Sequence, residues 1–394
     1  MKQAGRRQRK RNAFALVAIF SGGLAAAMPA TPPAAPAKTP PAAGAGSVEK
    51  TLEAYLDKYL AFDPDSKVTV APSNEKPVPG FRAYKSHRTG RYAKLNGDKV
   101  VYVSDDGKWF FAGDVLPNKD PRPVRSSDDL SWLSSYLTNL FRTPTKAALA
   151  PERDKANLKG VVVWTETGYG RARLPGYASA DGRVFLQGTI FDFTEDPRAE
   201  RRRMIDLTTG RATGPADAKV AVVEYADMEC GYCKYRGLQM DKLLEENTGI
   251  VSVRRHYKFF PLWLAHVWAM KAASAADCIF RFAGAAPMFR FKSQVYAVQD
   301  SMTVGGIDQL AVTTAEAEGV SSADFLSCYL RDESFARVIK DMEEGYRLGV
   351  NSTPTYFIDG TEITWIEDKV MEDYLRTIFP KIKTIEYAPP GAKK

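Results

Sequence analysis

The chain has 394 residues, which is enough for two or three domains. Hydrophobic residues make up 44% of it and aromatic residues 11%, a composition that favours packed cores and excludes a largely disordered chain. The formal net charge is +8, but six of the positive charges lie within residues 1–11, which leaves only +2 for the rest of the chain. A basic surface is therefore not predicted, and nucleic acid is not an expected partner.

The basic start is followed by an apolar stretch, and the two together predict a signal peptide over residues 1–28. Ala25, Ala26 and Ala27 provide the small residues of a cleavage site. The apolar stretch of about 16 residues is short for a membrane span, which needs about 20, but an uncleaved N-terminal anchor stays an alternative. Either interpretation predicts an exported, periplasmic protein whose four cysteines can form disulfides. Residues 29–46, rich in Pro and Ala, are predicted to be a linker.

Residues 47–210 are predicted to form an α+β region. Apolar residues at helical spacing predict amphipathic helices over 49–62 and 128–141. Asp106-Gly107 and Asp181-Gly182 each stand between β-rich segments, which is a strong signal for a hairpin. The region therefore alternates a helix with antiparallel strands.

Two parts of this region resemble each other. The segments 106–115 and 181–190 share Asp, Gly, Phe and a second Gly at an offset of 75 residues. We interpret the region as two copies of one helix-plus-sheet unit, spanning 47–120 and 126–210. Chance similarity between two turns is the alternative, because Asp-Gly hairpins are common.

A run of three arginines, Arg201 to Arg203, closes the region. Such a run is usually a solvated charged turn, which is the prediction here. The next residues, 204–207, look like a strand, and a short loop leads from 210 to 217 into the following part of the chain.

The chemistry centres on Cys230-Gly231-Tyr232-Cys233. The apolar run before this motif predicts a buried strand, and the residues after it predict a helix over about 231–247. Both sulfurs would lie on one face of the first helical turn, within reach of a disulfide. Cys230 would be at the helix N-terminus, where free backbone N–H groups stabilise a thiolate, and Cys233 would be shielded one turn deeper. This arrangement is typical of dithiol–disulfide exchange.

A CxxC motif alone also fits half of a zinc site or an inert structural disulfide. Zinc needs four ligands, whereas Cys278 and Cys328 are isolated and the chain has only three histidines. The order of strand, CxxC and helix therefore favours the redox interpretation, with no metal and no cofactor beyond the Cys230–Cys233 disulfide.

Two further features support this interpretation. Glu224 interrupts the apolar strand, where a buried carboxylate is costly unless it has a task. Its pKa is expected to rise on burial, so that it exchanges a proton with Cys233; a strand-edge Glu that faces solvent is the alternative. Far along the chain, Thr353-Pro354 leads directly into a β-rich run, a place for proline that only the start or edge of a strand allows.

Glu224, the CxxC motif, a distant Thr-Pro before a strand, and the Asp-Gly hairpin that follows it resemble the thioredoxin fold. The combination is most similar to the exported disulfide oxidoreductases of the DsbA, DsbC and DsbG type. The resemblance implies an α/β thioredoxin-like catalytic domain over 211–380 with a helical insertion over 262–349. It further implies that Pro354 is cis and lies against the CxxC, and that Tyr232 and Thr353 contact substrate.

The resemblance also implies partners. These are exported proteins with cysteines and a membrane redox protein that resets the dithiol. The N-terminal region resembles the small cystatin-like module through which the DsbC and DsbG isomerases dimerise, so a homodimer through this region is possible. Alternatively, the duplicated unit replaces a dimer partner by pseudo-symmetry and serves as a docking platform or wall beside the catalytic domain.

The insertion is predicted to be helical, with Cys278 and Cys328 on two of its helices. Four cysteines allow three pairings. With Cys230 and Cys233 assigned to each other, Cys278–Cys328 remains as a structural disulfide that would contribute about 3–4 kcal/mol by loop entropy. Two buried thiols that never meet are the alternative. His256, on the strand after the CxxC helix, is a packing or surface residue more often than a base.

After Pro354 the chain is predicted to end in a hairpin about Asp359-Gly360, a helix over 366–379 and a loose tail over 381–394.

The direction of exchange is open. Strongly oxidising members of the family carry a histidine where this chain has Tyr232, so Cys230 is expected to be less acidic and the couple less oxidising. This favours an isomerase or reductase over a DsbA-like oxidase, although the long insertion looks more like DsbA. A redox-inert chaperone or binding module and a metal-binding protein are the alternatives of another class.

Overall fold

The computed structural model describes residues 45–167, 170–365 and 367–386. The predicted signal peptide or anchor over 1–28 and the predicted linker up to residue 44 lie outside the described residues, as do residues 387–394 of the predicted tail.

The first half of the N-terminal region is one helix packed on antiparallel strands. Its elements are α1 (Ala45–Tyr59), β1 (Lys67–Ser73), β2 (Phe81–Thr89), β3 (Gly97–Ser104), β4 (Trp109–Phe111) and β5 (Asp114–Pro117). Leu52, Tyr55 and Leu56 recur at helical spacing and are buried against the sheet by α1. The helix that the sequence predicts over 49–62 is therefore present, four residues earlier at its start.

The second half repeats this order. Its elements are α2 (Ser131–Phe141), β6 (Thr145–Leu149), β7 (Leu158–Thr167), β8 (Gly170–Ser179), β9 (Val184–Gln187) and β10 (Ile190–Asp192). Leu133, Leu137 and Phe141 form the buried face of α2. An α+β N-terminal region is thus confirmed.

The two halves exchange their last strands. The first sheet has the order β1-β2-β3-β4-β10, and the second has the order β5-β9-β8-β7-β6. Strand β5 therefore leaves its own half to pair with β9, while β10 crosses back to pair with β4. A shared core between the sheets buries Phe111 and Val115 from the first half together with Leu186 and Ile190 from the second. Neither half has a complete sheet or core without the other.

The same hydrogen-bonded turn occurs before β4 and before β9. Ser104 Oγ donates to Asp106 Oδ1 at 2.5 Å and accepts from the Trp109 amide at 2.9 Å. The corresponding Ser179 Oγ donates to Asp181 Oδ1 at 2.7 Å and accepts from the Val184 amide at 3.1 Å. The glycines between, Gly107 and Gly182, both have φ of +70°, a conformation that favours glycine. This shared geometry supports our interpretation of the region as a duplicated unit.

The C-terminal part has a thioredoxin fold with a helical insertion, as predicted. Its sheet has the order β11-β13-β12-β14-β15, with β12 and β13 parallel and the other pairs antiparallel. The strands are β11 (Ala212–Thr213), β12 (Val220–Ala226), β13 (Val253–Phe259), β14 (Thr355–Ile358) and β15 (Thr361–Ile363). Helix α4 (Gly231–Glu246) follows β12, and α10 (Val370–Ile378) follows β15. Both helices bury apolar residues on the face of the sheet that carries Val222 and Tyr356.

The insertion between β13 and β14 consists of several helices that cover the opposite face. They are α5 (Ala269–Ala283), α6 (Ala285–Ala297), α7 (Val304–Ala317), α8 (Ser322–Tyr329) and α9 (Asp332–Leu348). Cys278 in α5 and Cys328 in α8 form a disulfide, with an S–S distance of 2.09 Å. Buried ion pairs tie α9 to the sheet: Lys258 of β13 lies 2.8 Å from Glu344. Helix α9 ends at Gly349, which has left-handed φ at the C-cap.

The arginine run is where the two parts of the chain are joined, and here the sequence prediction is wrong. Residues 197–204 form helix α3 (Pro197–Met204), and the expected strand over 204–207 is instead the end of this helix and a short 3₁₀ turn. Arg201 is only 1% exposed. Its guanidinium donates to the Tyr59 carbonyl at 2.7 Å, lies 4.4 Å from the Tyr59 ring and pairs with Glu362 of β15 at 3.5 Å. The run was predicted to be solvated. Arg202 and Arg203 are exposed, as predicted, but Arg201 is buried with partners from both parts of the chain.

The contact between the two parts is extensive. Glycine is required at position 360, in the β14–β15 turn, because a Cβ atom there would lie 2.0 Å from the Arg198 carbonyl oxygen. Asp373 of α10 accepts hydrogen bonds from Tyr92 and Arg91 at 2.7 and 3.0 Å. The predicted loose tail is also wrong for residues 381–386, since Ile382 and Ile385 are buried in the core beneath α10.

Candidate functional site

The two cysteines lie where β12 leads into α4. Cys230 is the N-cap residue of α4 and Cys233 lies in its first turn. Cys233 is fully buried and Cys230 is 7% exposed, while Tyr232 between them is 67% exposed. Both cysteines are free thiols in this structure. The helix thus leaves Cys230 slightly exposed and Cys233 completely covered.

The two thiols differ in acidity. Hydrogen bonding from Cys233 outweighs the effect of burial and lowers the pKa of Cys230 to about 7. Burial raises the pKa of Cys233 well above its ordinary value, and the neighbouring Cys230 and Asp227 act in the same direction. At neutral pH, therefore, Cys230 is partly a thiolate and Cys233 keeps its proton, so Cys230 is the more reactive thiol of the pair.

The Thr353-Pro354 segment lies directly against Cys230. The Cys230 Sγ atom is 3.4 Å from the Thr353 carbonyl oxygen, and the Thr353–Pro354 peptide bond is cis. Strand β14 begins immediately after it, at Thr355. Five of the candidate residues from the sequence are thus close together at this corner: Cys230, Cys233, Tyr232, Thr353 and Pro354.

Glu224 is buried in β12, but the predicted rise of its pKa is wrong. Its carboxylate pairs with Arg255 of β13 at 3.0 Å and with Lys292 of α6 at 3.9 Å, and the Tyr356 hydroxyl donates to it at 3.4 Å. Burial alone would raise the pKa of Glu224, but the two cations and these hydrogen bonds lower it below its ordinary value. Glu224 is therefore a fixed carboxylate rather than a carboxylic acid at neutral pH.

A small cavity lies beyond this ion cluster. It has a volume of about 140 Å³ and is lined by residues of α4 and α6 that include Asp241, Lys292 and Tyr296. Asp241 also pairs with Arg255. The cavity is large enough for several water molecules, since one occupies about 30 Å³ in the liquid. Lys292 therefore lies between Glu224 and this cavity, which it lines.

Sequence reasoning missed a second polar cluster, formed by Asp227, Glu229 and His266. Asp227 Oδ2 lies 2.6 Å from His266 Nδ1 and accepts from the Leu262 amide at 2.7 Å. Glu229 Oε2 accepts from the Trp268 amide at 2.6 Å. The two acidic residues directly before Cys230 were the only local signal, and nothing in the pattern connects them to a histidine 39 residues away.

His256 is not part of this site. Arg255 and Tyr257 of β13 face Glu224 and Lys292, and alternation along a strand directs His256 to the other face. Burial lowers the pKa of His256, so it is neutral at neutral pH. It is a packed strand residue.

Two further properties of the described residues concern metal ligands and membrane-spanning helices. In residues 45–167, 170–365 and 367–386, no group of three or more His, Cys, Asp or Glu side chains is placed to hold a metal ion. Within the same ranges, none of the helices combines the length and the apolar character that crossing a bilayer requires.

A sequence model described as thioredoxin matches residues 206–378. Among curated proteins, the chain is 28% identical over 156 residues to the Na⁺/H⁺ antiporter NhaA 3 of Salinispora tropica, covering 40% of this chain and 22% of that protein. It is 27% identical over 159 residues to the Na⁺/H⁺ antiporter NhaA 1 of Mycobacterium sp. (strain KMS), covering 40% of this chain and 25% of that protein. The chain thus spans a quarter or less of the length of these relatives.

Solved structures with similarity to the chain include the thiol-disulfide exchange protein α-DsbA2 of Wolbachia pipientis, with 17% identity and a TM-score of 0.39 over 46% of this chain and 94% of that one. The oxidised form of BdbD of Bacillus subtilis has 16% identity and a TM-score of 0.39 over 45% and 96%. ScsC of Proteus mirabilis has 17% identity and a TM-score of 0.38 over 47% and 80%.

Proposed function

We propose, from the membership of residues 206–378 in the thioredoxin family, that the protein is a thiol–disulfide oxidoreductase acting on exported proteins. The observation that carries the proposal is the asymmetry of the two thiols at the start of α4. Cys230 is 7% exposed and has a pKa lowered to about 7, whereas Cys233 has no exposed surface and its pKa is raised. A nucleophile and a resolving thiol need this difference.

In the proposed reduction of a substrate, the Cys230 thiolate attacks one sulfur of a substrate disulfide. A Cys230–substrate disulfide forms and the other substrate sulfur leaves as a thiolate. Cys233 then loses its proton and attacks Cys230, which closes the Cys230–Cys233 disulfide and releases the second substrate thiolate. The substrate gains two electrons and the protein loses two. The reverse sequence oxidises a substrate dithiol.

Glu224 is the proposed acceptor of the Cys233 proton. Because Lys292 and Arg255 keep its carboxylate ionised, it is available as a base in every turnover. The lowered pKa makes it a weak base, so the proton would pass on to the cavity beyond Lys292 rather than stay on the carboxyl group.

The substrate chain is proposed to lie over the Thr353-Pro354 segment, next to the exposed ring of Tyr232. Thr353 contacts Cys230 through its carbonyl oxygen, so a peptide bound there would hold its sulfur close to the nucleophile. An exposed aromatic ring provides apolar contact area without demanding a particular sequence, which suits an enzyme with many protein substrates.

For direction we favour isomerase or reductase activity over net oxidation. A Cys230 pKa of about 7 resembles the value typical of thioredoxin, about 7, rather than that of the oxidant DsbA, about 3.5. A less acidic nucleophile stabilises the reduced form less, so the couple is less oxidising. A membrane redox protein that resets the dithiol, and a periplasmic location reached through residues 1–28, complete the proposal.

The N-terminal region is proposed to act as a wall beside the site within one chain. Phe141 of α2 packs edge-on against Trp263 at 6.2 Å, on the segment that leads to His266. Because β5 and β10 are exchanged inside the chain, the duplicated unit supplies the pairing that a second subunit would otherwise provide. Sedimentation of the full chain should therefore give a monomer, and a tight dimer would contradict this part of the proposal.

Two measurements test the function itself. We expect the Cys230–Cys233 couple to have a reduction potential closer to those of thioredoxin and glutaredoxins, about −270 to −200 mV, than to that of DsbA, about −120 mV. The protein should also accelerate the refolding of a scrambled disulfide substrate. If Cys230 is alkylated at neutral pH no faster than an ordinary thiol, the proposal fails; a potential near that of DsbA would reverse only the direction.

A further inference from the structure

Asp227 touches both cysteines and is not used in the reaction described above. It follows β12 directly, and its side chain has no exposed surface. Its amide donates to Cys233 Sγ at 3.3 Å, and its carbonyl oxygen accepts from the Cys230 amide at 3.2 Å. A buried carboxylate is thus fixed beside a dithiol that has to become negatively charged.

An uncompensated carboxylate at this position would work against catalysis. Like charges disfavour each other, and Asp227 raises the pKa of both Cys230 and Cys233. The Glu229 amide, at 2.7 Å from Oδ1, and the Leu262 amide, at 2.7 Å from Oδ2, stabilise the carboxylate without adding a positive charge. Only a cation can cancel its field at the thiols.

His266 is placed to provide that cation. Its Nδ1 lies 2.6 Å from Asp227 Oδ2, and its side chain is 22% exposed. Burial by itself lowers the pKa of His266, but the charge of Asp227 and the hydrogen bond to it, with smaller effects of Glu229 and Cys230, raise it to about 9. All three groups are titratable, and with this pKa the imidazole carries a proton at neutral pH.

We propose that His266 is a positioning residue of the dithiol: its imidazolium cancels the charge of Asp227 and thereby keeps Cys230 ionised. The positive charge comes from the loop before α5 and not from within the CxxC motif, where this chain has Tyr232. The inference rests on the proposed function, because only an enzyme of this class needs an acidic Cys230.

The experiment is a double-mutant cycle on the full chain with His266→Gln and Asp227→Asn, read out as the pH dependence of Cys230 alkylation by iodoacetamide. His266→Gln alone should raise the pKa of Cys230 by about one unit. From a pKa of about 7 this lowers the thiolate fraction at pH 7 from about one half to about one eleventh, so alkylation should slow by about fivefold. With Asp227→Asn already present, the same change should alter the rate by less than about twofold, because the charge that His266 compensates is gone. His256→Gln is the matched control and should leave the profile unchanged.

Three outcomes would overturn the inference. They are an unchanged alkylation profile in His266→Gln, an equal loss of alkylation rate from His266→Gln in the wild-type and Asp227→Asn backgrounds, and a neutral His266 at pH 7. The last is measured by histidine NMR on the unmodified protein, so the inference can be tested even if a variant fails to fold. A wild-type Cys230 that reacts as an ordinary thiol would instead remove the proposed function. The two failures are therefore distinguishable.

Discussion

The N-terminal region and the thioredoxin-fold domain both bury charged side chains, and they surround them differently. Arg201, at the end of the N-terminal region, contacts the Tyr59 carbonyl and ring and the Glu362 carboxylate. The groups around the dithiol include Asp227, His266 and the two thiols themselves, and the charge of Asp227 raises the pKa of each of the other three. The difference indicates that buried charge holds the two regions together at one place and sets sulfur reactivity at the other.

The largest expected effect comes from the nucleophile. Cys230→Ser should abolish disulfide exchange, because the remaining thiol, Cys233, has a raised pKa and no exposed surface. Cys233→Ser should retain the first attack and accumulate Cys230–substrate mixed disulfides, since the resolving sulfur is missing. Non-reducing mass spectrometry after incubation with a disulfide substrate measures both. Mixed disulfides on Cys233 in the Cys230→Ser variant would show that the assignment of roles is reversed.

The next largest effect concerns Arg201, the buried charge of the N-terminal region. Arg201→Met should lower the free energy of unfolding by about 3–5 kcal/mol, because it leaves the buried Tyr59 carbonyl and Glu362 without their charged partner. Arg203→Met is the matched control from the same run: Arg203 is exposed, so solvent screens its pair with Glu195 and the substitution should leave stability nearly unchanged. Chemical denaturation measures both changes.

Arg201→Met should also leave the reactivity of the Cys230 thiol unchanged. The alkylation profile of Cys230 in Arg201→Met, measured below its unfolding midpoint, should match the wild type. A shifted profile would mean that the junction and the dithiol are electrostatically coupled, and the proposed separation of the two kinds of buried charge would be wrong.

The sequence predicts best those parts of the site that local pattern encodes. An apolar run, a CxxC motif and a helical period follow each other directly, so the strand, the N-capping Cys230 and the buried Cys233 can be placed without knowing any distant contact. The hairpin about Asp359-Gly360 is predicted for the same reason, because turn chemistry is local.

What the sequence does not predict depends on long-range partners. Glu224 was expected to protonate because its burial is visible in the strand pattern, while its cation Arg255, 31 residues away, is not. Arg201 was expected in solvent because its acceptor is 142 residues earlier in the chain. The sequence also does not predict the exchange of β5 and β10, because either half could pair its strands internally with the same alternation of buried and exposed residues.

A smaller effect concerns the pH dependence of stability. The pKa of His266 is raised from 6.5 to about 9 on folding, so its contribution is fully present below pH 6.5 and is lost as the pH rises through 9. The difference in unfolding free energy between the wild type and His266→Gln should therefore shrink by roughly 2–3 kcal/mol between pH 6 and 10. The oxidised protein is the one to measure, because in the reduced protein the lowered pKa of Cys230 adds stability over part of the same interval. A difference that stays constant with pH would contradict a charged His266.

The smallest predicted effect compares the two halves of the N-terminal region with each other. Ser104→Ala and Ser179→Ala each remove a hydroxyl that donates to an Asp and accepts from a backbone amide in the same turn. Each substitution should cost about 1 kcal/mol of unfolding free energy, because one such net hydrogen bond is worth about that much. If the halves are copies of one unit, the two costs should agree within about 0.5 kcal/mol, and the double variant should show their sum, since the turns do not share a partner. A large cost at Ser104 with none at Ser179 would mean that the turns share a shape without sharing a structural role, which is what chance similarity between two Asp-Gly hairpins would produce.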